Sequence, residues 1–297
     1  MIRRAGQYLR LRGMMVADAA RALTLSGKKV PWLLLSALSP LPTSFSLKRF
    51  ISWFAVRLTE EEVLYDFGAI QMEVPREFLR ADRWYLVHQY FEIVYPALFG
   101  SPSRFFSKEG PYERKEVIVE PGDIVVDAGA SIGFFSVVAA KKAGPQGKVY
   151  AFEPFGRACE YLRRNAGHNG CRNIAAVPMA LGACDGRLTL FGDGPASRSG
   201  ARKKDGGEMS VPQIPLDAYV RDRGVSRVDF IKMDVEGMER KVLEGARETI
   251  RRYRPKLSLC SYHLPDDPEV LERMVREIEP GYRMVREKGK MYAWFPR

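Results

Sequence analysis

Short apolar runs alternate with longer mixed segments along most of the chain, a pattern typical of an α/β protein. The first clear run covers residues 124–127 and is bounded upstream by Pro121-Gly122. A glycine-containing turn follows it, and the residues after Gly133 are apolar on all sides, which predicts a helix packed on both faces. A strand, a glycine turn and a helix in this order open many nucleotide-binding α/β units.

The turn at residues 127–133 reads D-A-G-A-S-I-G, and three ligand motifs compete for it. A dinucleotide fingerprint needs G-x-G-x-x-G, but only Gly129 is present in the first half, and the Gly-Lys-Ser/Thr of a P-loop is absent. The remaining pattern, D-x-G-x-x-x-G, resembles the first motif of class I S-adenosylmethionine-dependent methyltransferases. We expect Gly129 to let a ligand approach the backbone and Gly133 to let the helix pack close to the strand. A turn that merely joins strand to helix is the alternative.

A carboxylate at the end of the next apolar run supports a nucleoside ligand. Residues 148–154 read K-V-Y-A-F-E-P, and Glu153 lies 20 residues after Gly133. In nucleoside-binding α/β folds an acidic residue at about 20 residues from the glycines receives the ribose hydroxyls. The alternative is a carboxylate that stabilises a helix N-terminus. Together with the turn, Glu153 favours S-adenosylmethionine as the cofactor.

The remaining periodicity predicts further elements around this unit. The upstream elements are a hairpin at 64–75 turning near Gly68, a helix at 78–99 and a strand at 116–120. Downstream we expect a helix at 157–169, strands at 173–181, 187–191, 210–214, 228–233 and 255–263, a helix at 268–279, and an antiparallel hairpin of 282–286 with 290–295.

One later segment is specific enough to indicate a family. Residues 229–246 read D-F-I-K-M-D-V-E-G-M-E-R-K-V-L-E-G-A, and residues 211–217 read V-P-Q-I-P-L-D. Both resemble the FkbM family of methyltransferases, and the resemblance covers about residues 64–297. Ala130 and Ser131 depart mildly from the family, which often has Gly-type and Asn residues there. The resemblance implies a seven-stranded, mostly parallel class I methyltransferase sheet with a C-terminal antiparallel hairpin. It also implies O-methylation of a hydroxyl on a sugar, glycolipid, polysaccharide or polyketide-derived product.

The motif positions and the resemblance together predict the site residues. The predicted catalytic residues are Asp234, Glu236 and His263, which lie at the ends of the fourth and fifth strands of the main sheet. The predicted cofactor-binding residues are Asp127, Gly129, Ala130, Ser131, Gly133, Glu153, Pro154, Ala180, Leu181 and Asp234.

Asp234 leads among the catalytic candidates, because a weakly acidic alcohol needs a base or a cation beside it. Alternatively, Asp234 and Glu236 cap the following helix, and Glu239 is solvated helix surface. No metal ligand is assigned. Carboxylate oxygens suit Mg²⁺, so an ion held by Asp234 and groups near 263–267 is conceivable, but the sequence does not favour it.

Charge separates the N-terminal extension from the rest. Residues 1–60 hold ten basic residues and two acidic ones, whereas the formal net charge of all 297 residues is +11. Most of the net positive charge therefore lies in the extension, and the predicted catalytic domain, residues 63–297, carries little of it. Nucleic acid is thus not favoured as a substrate. An RNA methyltransferase and a non-catalytic binding module on a membrane or glycan assembly are the alternatives.

The extension, residues 1–62, is also apolar, with helical spacing at 47–58 and a short run at 30–38. We expect a basic helical extension that contacts a membrane surface or a partner through residues 30–58. The expected location is cytoplasmic, at the inner face of the membrane where that contact forms. Arg3-Arg4 lacks the apolar run of an export signal. The four cysteines show no metal spacing and are expected to be reduced thiols.

Overall fold

The computed structural model describes residues 55–67, 70–81, 89, 93, 110–191, 198–199 and 207–296. Contacts divide the chain into two units, residues 1–87 and 88–297. Most of the predicted extension, most of the predicted helix at 78–99 and the Gly-rich segment near 200 lie outside the described residues. No helix among the residues described is long and apolar enough to cross a bilayer.

The first unit contains an antiparallel sheet of β1 (Ala55–Leu58), β2 (Glu62–Asp66) and β3 (Gln71–Pro75), followed by α1 (Arg76–Ala81). The pairing of β2 with β3 confirms the predicted hairpin, although its turn at Gly68 lies outside the described residues. The prediction that the helix at 47–58 extends through Ala55 and Leu58 was wrong, because these residues pair with β2. The run A-V-R-L suits a strand as well as a helix, and the neighbouring strand decides. This sheet spans the predicted domain boundary after residue 62.

The second unit holds the predicted catalytic fold. In chain order its elements are β4 (Ile124–Ala128), α2 (Phe134–Ala143), β5 (Lys148–Phe152), α3 (Gly156–His168), β6 (Ile174–Val177), β7 (Ala180–Leu181), β8 (Gly186–Phe191), β9 (Arg198–Ser199), β10 (Glu208–Ile214), α4 (Leu216–Asp222), β11 (Phe230–Met233), α5 (Glu239–Glu244), α6 (Arg247–Tyr253), β12 (Lys256–Cys260), α7 (Asp267–Ile278), β13 (Arg283–Glu287) and β14 (Lys290–Trp294).

Seven of these strands form one sheet in the order β13-β14-β12-β11-β4-β5-β6. The five strands from β12 to β6 run parallel, whereas β14 is antiparallel to both β12 and β13. The sheet and its closing hairpin confirm the predicted architecture. Its central strands are buried on both faces: every residue of β11, for example, is buried. The carboxyl ends of β4, β5, β11 and β12 therefore meet at one edge of the sheet, where ligands bind in open α/β folds.

Two predicted strands differ from the structure. The strand at 173–181 divides into β6 and β7, because Pro178 cannot donate a ladder hydrogen bond and β7 pairs with β10 in a second sheet, β7-β10-β8-β9. The predicted strand at 116–120 is absent, and only an isolated bridge joins Arg114 to Val117. The Val119 amide donates a hydrogen bond to the Glu113 side chain instead, so a local bond to a side chain replaces strand pairing.

The two family-like segments contact each other where the start of α4 meets the residues between α5 and α6, since the Asp217 amide donates to the Gly245 carbonyl oxygen. The Asp217 side chain accepts hydrogen bonds from the amides of Glu248 and Thr249 at the start of α6. A Cβ on Gly245 would lie 2.0 Å from the carbonyl oxygen of Gly182, so only glycine fits there. All four cysteines lie within the described residues, and none forms a disulfide.

Candidate active site

The glycine turn after β4 packs directly against the end of β11. Gly129 has a φ of +77°, and a Cβ there would lie 1.9 Å from the carbonyl oxygen of Asp234. Gly133 has a φ of +91°, and a Cβ there would lie 3.1 Å from the Leu162 side chain on α3. The glycines are thus required by contacts with β11 and α3. Ligand approach at Gly129, which lines the cleft described below, and close packing of the helix on the strand at Gly133 stay predictions.

The Asp127 side chain lies beneath this turn and is fully buried. It accepts a hydrogen bond of 2.5 Å from the Ser136 hydroxyl, and its other oxygen lies 3.0 Å from the Lys232 ammonium. Lys232 also donates to the carbonyl oxygen of Gly129 at 2.7 Å. A buried charge needs such a partner. Asp127 therefore supports the turn through contacts with protein groups.

Glu153 follows β5 and is held by two backbone amides. Its Oε2 accepts from the Ser131 amide at 2.8 Å, and its Oε1 accepts from the Phe155 amide at 2.9 Å. The side chain is buried, and this burial raises the pKa of Glu153 to about 7, although both amides and Lys232 oppose the shift. Ser131 adopts a left-handed φ of +50° to direct its amide this way. The carboxylate is fixed in position before any ligand arrives.

A cleft opens at the carboxyl ends of β4, β5 and β11. Glu153, Asp234 and Glu236 all line it. Six of the predicted cofactor residues contribute to its walls: Gly129, Glu153, Pro154, Ala180, Leu181 and Asp234. Of the other four, Asp127 lies in β4, and Ala130, Ser131 and Gly133 lie in the adjoining turn.

The three predicted catalytic residues come together at this edge of the sheet. His263 Nε2 lies 3.6 Å from Asp234 Oδ1 and 3.7 Å from Glu236 Oε2. Glu236 has a left-handed φ of +54°, a strained conformation for a non-glycine residue, which recurs at functional sites. Asp266 and Asp267, which follow in sequence, instead form ion pairs with Arg240.

Glu239, interpreted as possible helix surface from the sequence, is fully buried and orients the cluster. Its carboxylate accepts the amides of Val235 and Gly237 and contacts His263 Nδ1 at 2.9 Å. No side chain caps α5, so the alternative that Asp234 or Glu236 is a helix cap has no support. Burial lowers the pKa of His263, but the hydrogen bond to Glu239 and the neighbouring carboxylates together raise it above its ordinary value.

Tyr112, Lys232 and Lys290 complete the surroundings of Asp234. The Tyr112 hydroxyl donates to Asp234 Oδ2, and the two ammonium groups lie 4.9 Å and 4.4 Å from the centre of the Tyr112 ring. Burial alone would raise the pKa of Asp234, but both lysines and the tyrosine hydroxyl hold it below its ordinary value. Asp234 is therefore a carboxylate at neutral pH. Sequence reasoning missed Tyr112 and Lys290.

The strand order and the carboxylate-lined cleft define the protein as a class I S-adenosylmethionine-dependent methyltransferase. Residues 127–284, more than half of the chain, match the family described as "Methyltransferase FkbM domain". The chain belongs to this family, as the sequence motifs predict.

Three relatives with assigned activities illustrate the family's range. The 31-O-demethyl-FK506 methyltransferase FkbM of Streptomyces tacrolimicus is 30% identical over 214 residues, which cover 61% of this chain and 81% of the relative. The 2-O-methyltransferase NoeI of Sinorhizobium fredii is 26% identical over 61% of this chain and 78% of its own. The hexuronic acid methyltransferase AglP of Haloferax volcanii is 26% identical over 54% of this chain and 64% of its own.

Proposed function

We propose that the protein transfers a methyl group from S-adenosylmethionine to a hydroxyl of a sugar or sugar-containing acceptor. The observation that carries this proposal is the shared cleft. One side chain that lines the cleft is Glu153, a carboxylate fixed in position and at the distance along the chain from the glycine turn that is typical of a group binding ribose hydroxyls. Asp234 and Glu236 line the same cleft.

The residues around Glu153 fit the cofactor. The two amides already bonded to Glu153 fix the carboxylate, and it retains lone pairs to accept ribose hydroxyls. Ala180 and Leu181 offer an apolar wall to a planar base. When bound, the cofactor supplies a methyl group on a sulfonium: the carbon–sulfur bond breaks, its electrons remain on sulfur, and a carbon–oxygen bond forms to the acceptor.

Asp234, Glu236 and His263 take up the acceptor hydroxyl in this proposal. The hydroxyl must lose its proton as the new bond forms, and it is too weakly acidic to do so unaided. The Asp234 carboxylate receives the hydroxyl and assists removal of the proton, as a base or through a bound cation. Tyr112 fixes its orientation by donating to Oδ2, leaving Oδ1 directed toward His263.

A sugar acceptor is supported by the name of one relative, a hexuronic acid methyltransferase. A second relative is named a 2-O-methyltransferase, which supports an oxygen as the methylated atom, and a third is named for an FK506 derivative. A carboxylic acid could accept a methyl group as an ester and a hydroxyl as an ether. Mild alkali separates them, because it hydrolyses a methyl ester and leaves a methyl ether intact.

The test incubates the protein with methyl-labelled S-adenosylmethionine and with glycan, lipid and RNA fractions of the source cell. We expect alkali-stable label in the glycan or glycolipid fraction. Label found only in RNA, or label released as an ester, would contradict the proposal.

The test variant is Asp234→Asn, which removes one negative charge inside the site. The matched control is Asp222→Asn, which removes one negative charge on the surface. Loss of a group that assists proton removal typically costs about 10²–10⁴-fold in rate. We expect this loss for Asp234→Asn with a much smaller effect on cofactor affinity, and no loss of rate for Asp222→Asn. Transfer by Asp234→Asn within a few-fold of the wild-type rate would place the chemistry elsewhere.

A further inference from the structure

We propose that Asp234, Glu236 and His263 form a binding site for one divalent cation of the Mn²⁺ type. Oxygen atoms of the two carboxylates and one imidazole nitrogen all lie within 4.8 Å of one another. The binding site itself stands on this geometry, whereas its role in activating a hydroxyl rests on the proposed function.

The separations suit a metal ion. With bonds of about 2.1 Å, neighbouring ligand atoms of an octahedral cation lie about 3.0 Å apart and opposite ones about 4.2 Å apart. The distances of 3.6 Å and 3.7 Å from His263 Nε2 to the two carboxylates fall between these values. Shifts of less than about 1 Å would complete a three-ligand set.

His263 provides the independent observation that a ligand is missing. Its side chain is only 2% exposed, and Nε2 has no hydrogen-bond partner among the described residues. Burial of a polar atom without a partner is costly, so such an atom calls for an explanation. Nε2 points between Asp234 and Glu236, which is where the cation would lie.

Glu239 prepares the imidazole for metal binding. Its carboxylate accepts hydrogen bonds from two backbone amides and contacts His263 Nδ1. In the tautomer that carries its proton on Nδ1, this nitrogen donates to Glu239, and Nε2 can offer its lone pair to the ion. A carboxylate behind a ligating histidine is a recurring feature of metal sites, because it fixes the tautomer and the orientation of the ring. Tyr112 acts similarly on Asp234 by holding Oδ2 and leaving Oδ1 for the ion.

The site would remain open toward the cleft. The side chains of Asp234 and Glu236 are 18% and 27% exposed, and both line the cleft that Glu153 also lines. The remaining coordination positions are thus accessible to water and to an acceptor hydroxyl, whose acidity a cation would increase. An imidazole in the donor set favours first-row transition cations over Mg²⁺, which prefers oxygen ligands alone.

The experiment measures Mn²⁺ binding to the chelator-treated, full-length protein without cofactor. The electron paramagnetic resonance signal of free Mn²⁺ decreases as the ion binds. We expect one site per chain, with Mg²⁺ displacing Mn²⁺ only in large excess. Glu236→Gln and His263→Gln should weaken binding by at least tenfold, whereas His168→Gln, on the exposed end of α3, should not change it. Because His263 is buried, Glu236→Gln is the decisive variant if His263→Gln unfolds.

Two outcomes would overturn the binding site: no bound Mn²⁺ at millimolar concentration, or equal binding by Glu236→Gln. A third, full methyl transfer by protein shown to be metal-free, would overturn its role in activating the hydroxyl. The first would indicate that the imidazole alone neutralises the two carboxylates. In all three cases the proposed methyl transfer could still stand, because cofactor binding is measured separately. Conversely, a protein that binds Mn²⁺ but not S-adenosylmethionine would retain the metal site and lose the proposed function.

Discussion

Glu153→Gln tests the cofactor site through the protonation of one buried side chain. The wild-type carboxyl has a pKa of about 7, because burial disfavours its charged form more than two amides and Lys232 favour it. Ribose hydroxyls would donate to the charged form and bind it preferentially. S-adenosylmethionine should therefore bind more tightly as the pH rises through 7, whereas glutamine cannot titrate and removes this dependence.

The magnitude follows from the position of the pKa. If the ligand binds only the carboxylate, about one molecule in eleven is competent at pH 6 and about ten in eleven at pH 8, so affinity should rise roughly tenfold. At pH 7 binding should release about half a proton. Glu153→Gln should also bind at least tenfold more weakly at pH 8, because it loses hydrogen bonds to a charged acceptor worth about 1.5–3 kcal/mol each.

The pH dependence of the free energy of unfolding, measured on the ligand-free protein, is a second test of the raised pKa of Glu153, and its direction can be predicted. The folded-state pKa of Glu153 is raised from 4.5 to about 7, so the folded state holds its proton more tightly than the unfolded chain. The corresponding stability is present below pH 4.5 and is lost as the pH rises to about 7, by about 3 kcal/mol. This part of the pH dependence should disappear in Glu153→Gln.

Isothermal titration calorimetry of S-adenosylmethionine at pH 6, 7 and 8, in two buffers of different ionisation enthalpy, measures both affinity and proton release. Glu160→Gln, on the exposed face of α3, is the matched control and should behave like the wild type. Titrating groups of the cofactor itself affect all three proteins equally. Identical pH profiles for wild type and Glu153→Gln, in folded proteins, would refute the assignment of Glu153 to the ribose.

Three further predictions concern packing and charge. Tyr112→Phe removes the hydrogen bond to Asp234 and should lower the methyl-transfer rate about 10- to 100-fold at unchanged cofactor affinity measured by calorimetry; an unchanged rate would contradict this role. Gly245→Ala should destabilise the fold by about 2–4 kcal/mol in urea unfolding, because its Cβ would meet the carbonyl of Gly182, whereas Gly167→Ala in α3, with no atom in the way, should stabilise by about 0.5–1 kcal/mol. Lys232→Met leaves Asp127 buried without its cation and should cost about 3–5 kcal/mol; adding Asp127→Asn should recover part of this loss, and no recovery would show that the pair is not the cause.

The main sheet was predictable because its signals are local. The parallel strands are short, mostly apolar runs, and β11 at the centre of the sheet is buried on both faces. The hairpin of β13 and β14 was equally visible, since Lys288 and Gly289 separate two short runs of strand-forming residues. The carboxylates at the ends of β5 and β11 could be assigned to the ligand-binding edge from strand order alone.

The errors occur where a distant partner decides the structure. The sequence of residues 55–58, A-V-R-L, is compatible with a helix or a strand, and pairing with β2 makes it a strand. The run at 173–181 is compatible with one strand, but Ala180 and Leu181 pair with β10 in the second sheet. At 116–120 side-chain hydrogen bonds replace a ladder that the alternation V-I-V-E favours. Intrinsic preference for a strand is weak, and pairing with neighbours dominates it.

Three residues of the site were missed for the same reason: their partners are distant in the sequence. Tyr112 contacts Asp234 across 122 positions, and no motif connects them. Glu239 resembles one of many charged helix residues until its burial is known, and Lys290 lies at the start of a C-terminal strand that reads as purely structural. Only the folded sheet, which places β14 beside β12 and β12 beside β11, brings these groups together.

Two residues near the cleft, Ser131 and Glu236, have strained backbone conformations. Ser131 and Glu236 both have left-handed φ values, +50° and +54°, and neither is glycine, so each position costs about 1–2 kcal/mol relative to an ordinary conformation. The strain at Ser131 directs an amide to Glu153, and the strain at Glu236 sets a carboxylate opposite His263. Glycine would adopt both conformations without this cost, but at position 236 it would remove the carboxylate. Glu236 in this conformation therefore supplies the carboxylate at the expense of stability, as expected for a residue that binds a ligand or an ion.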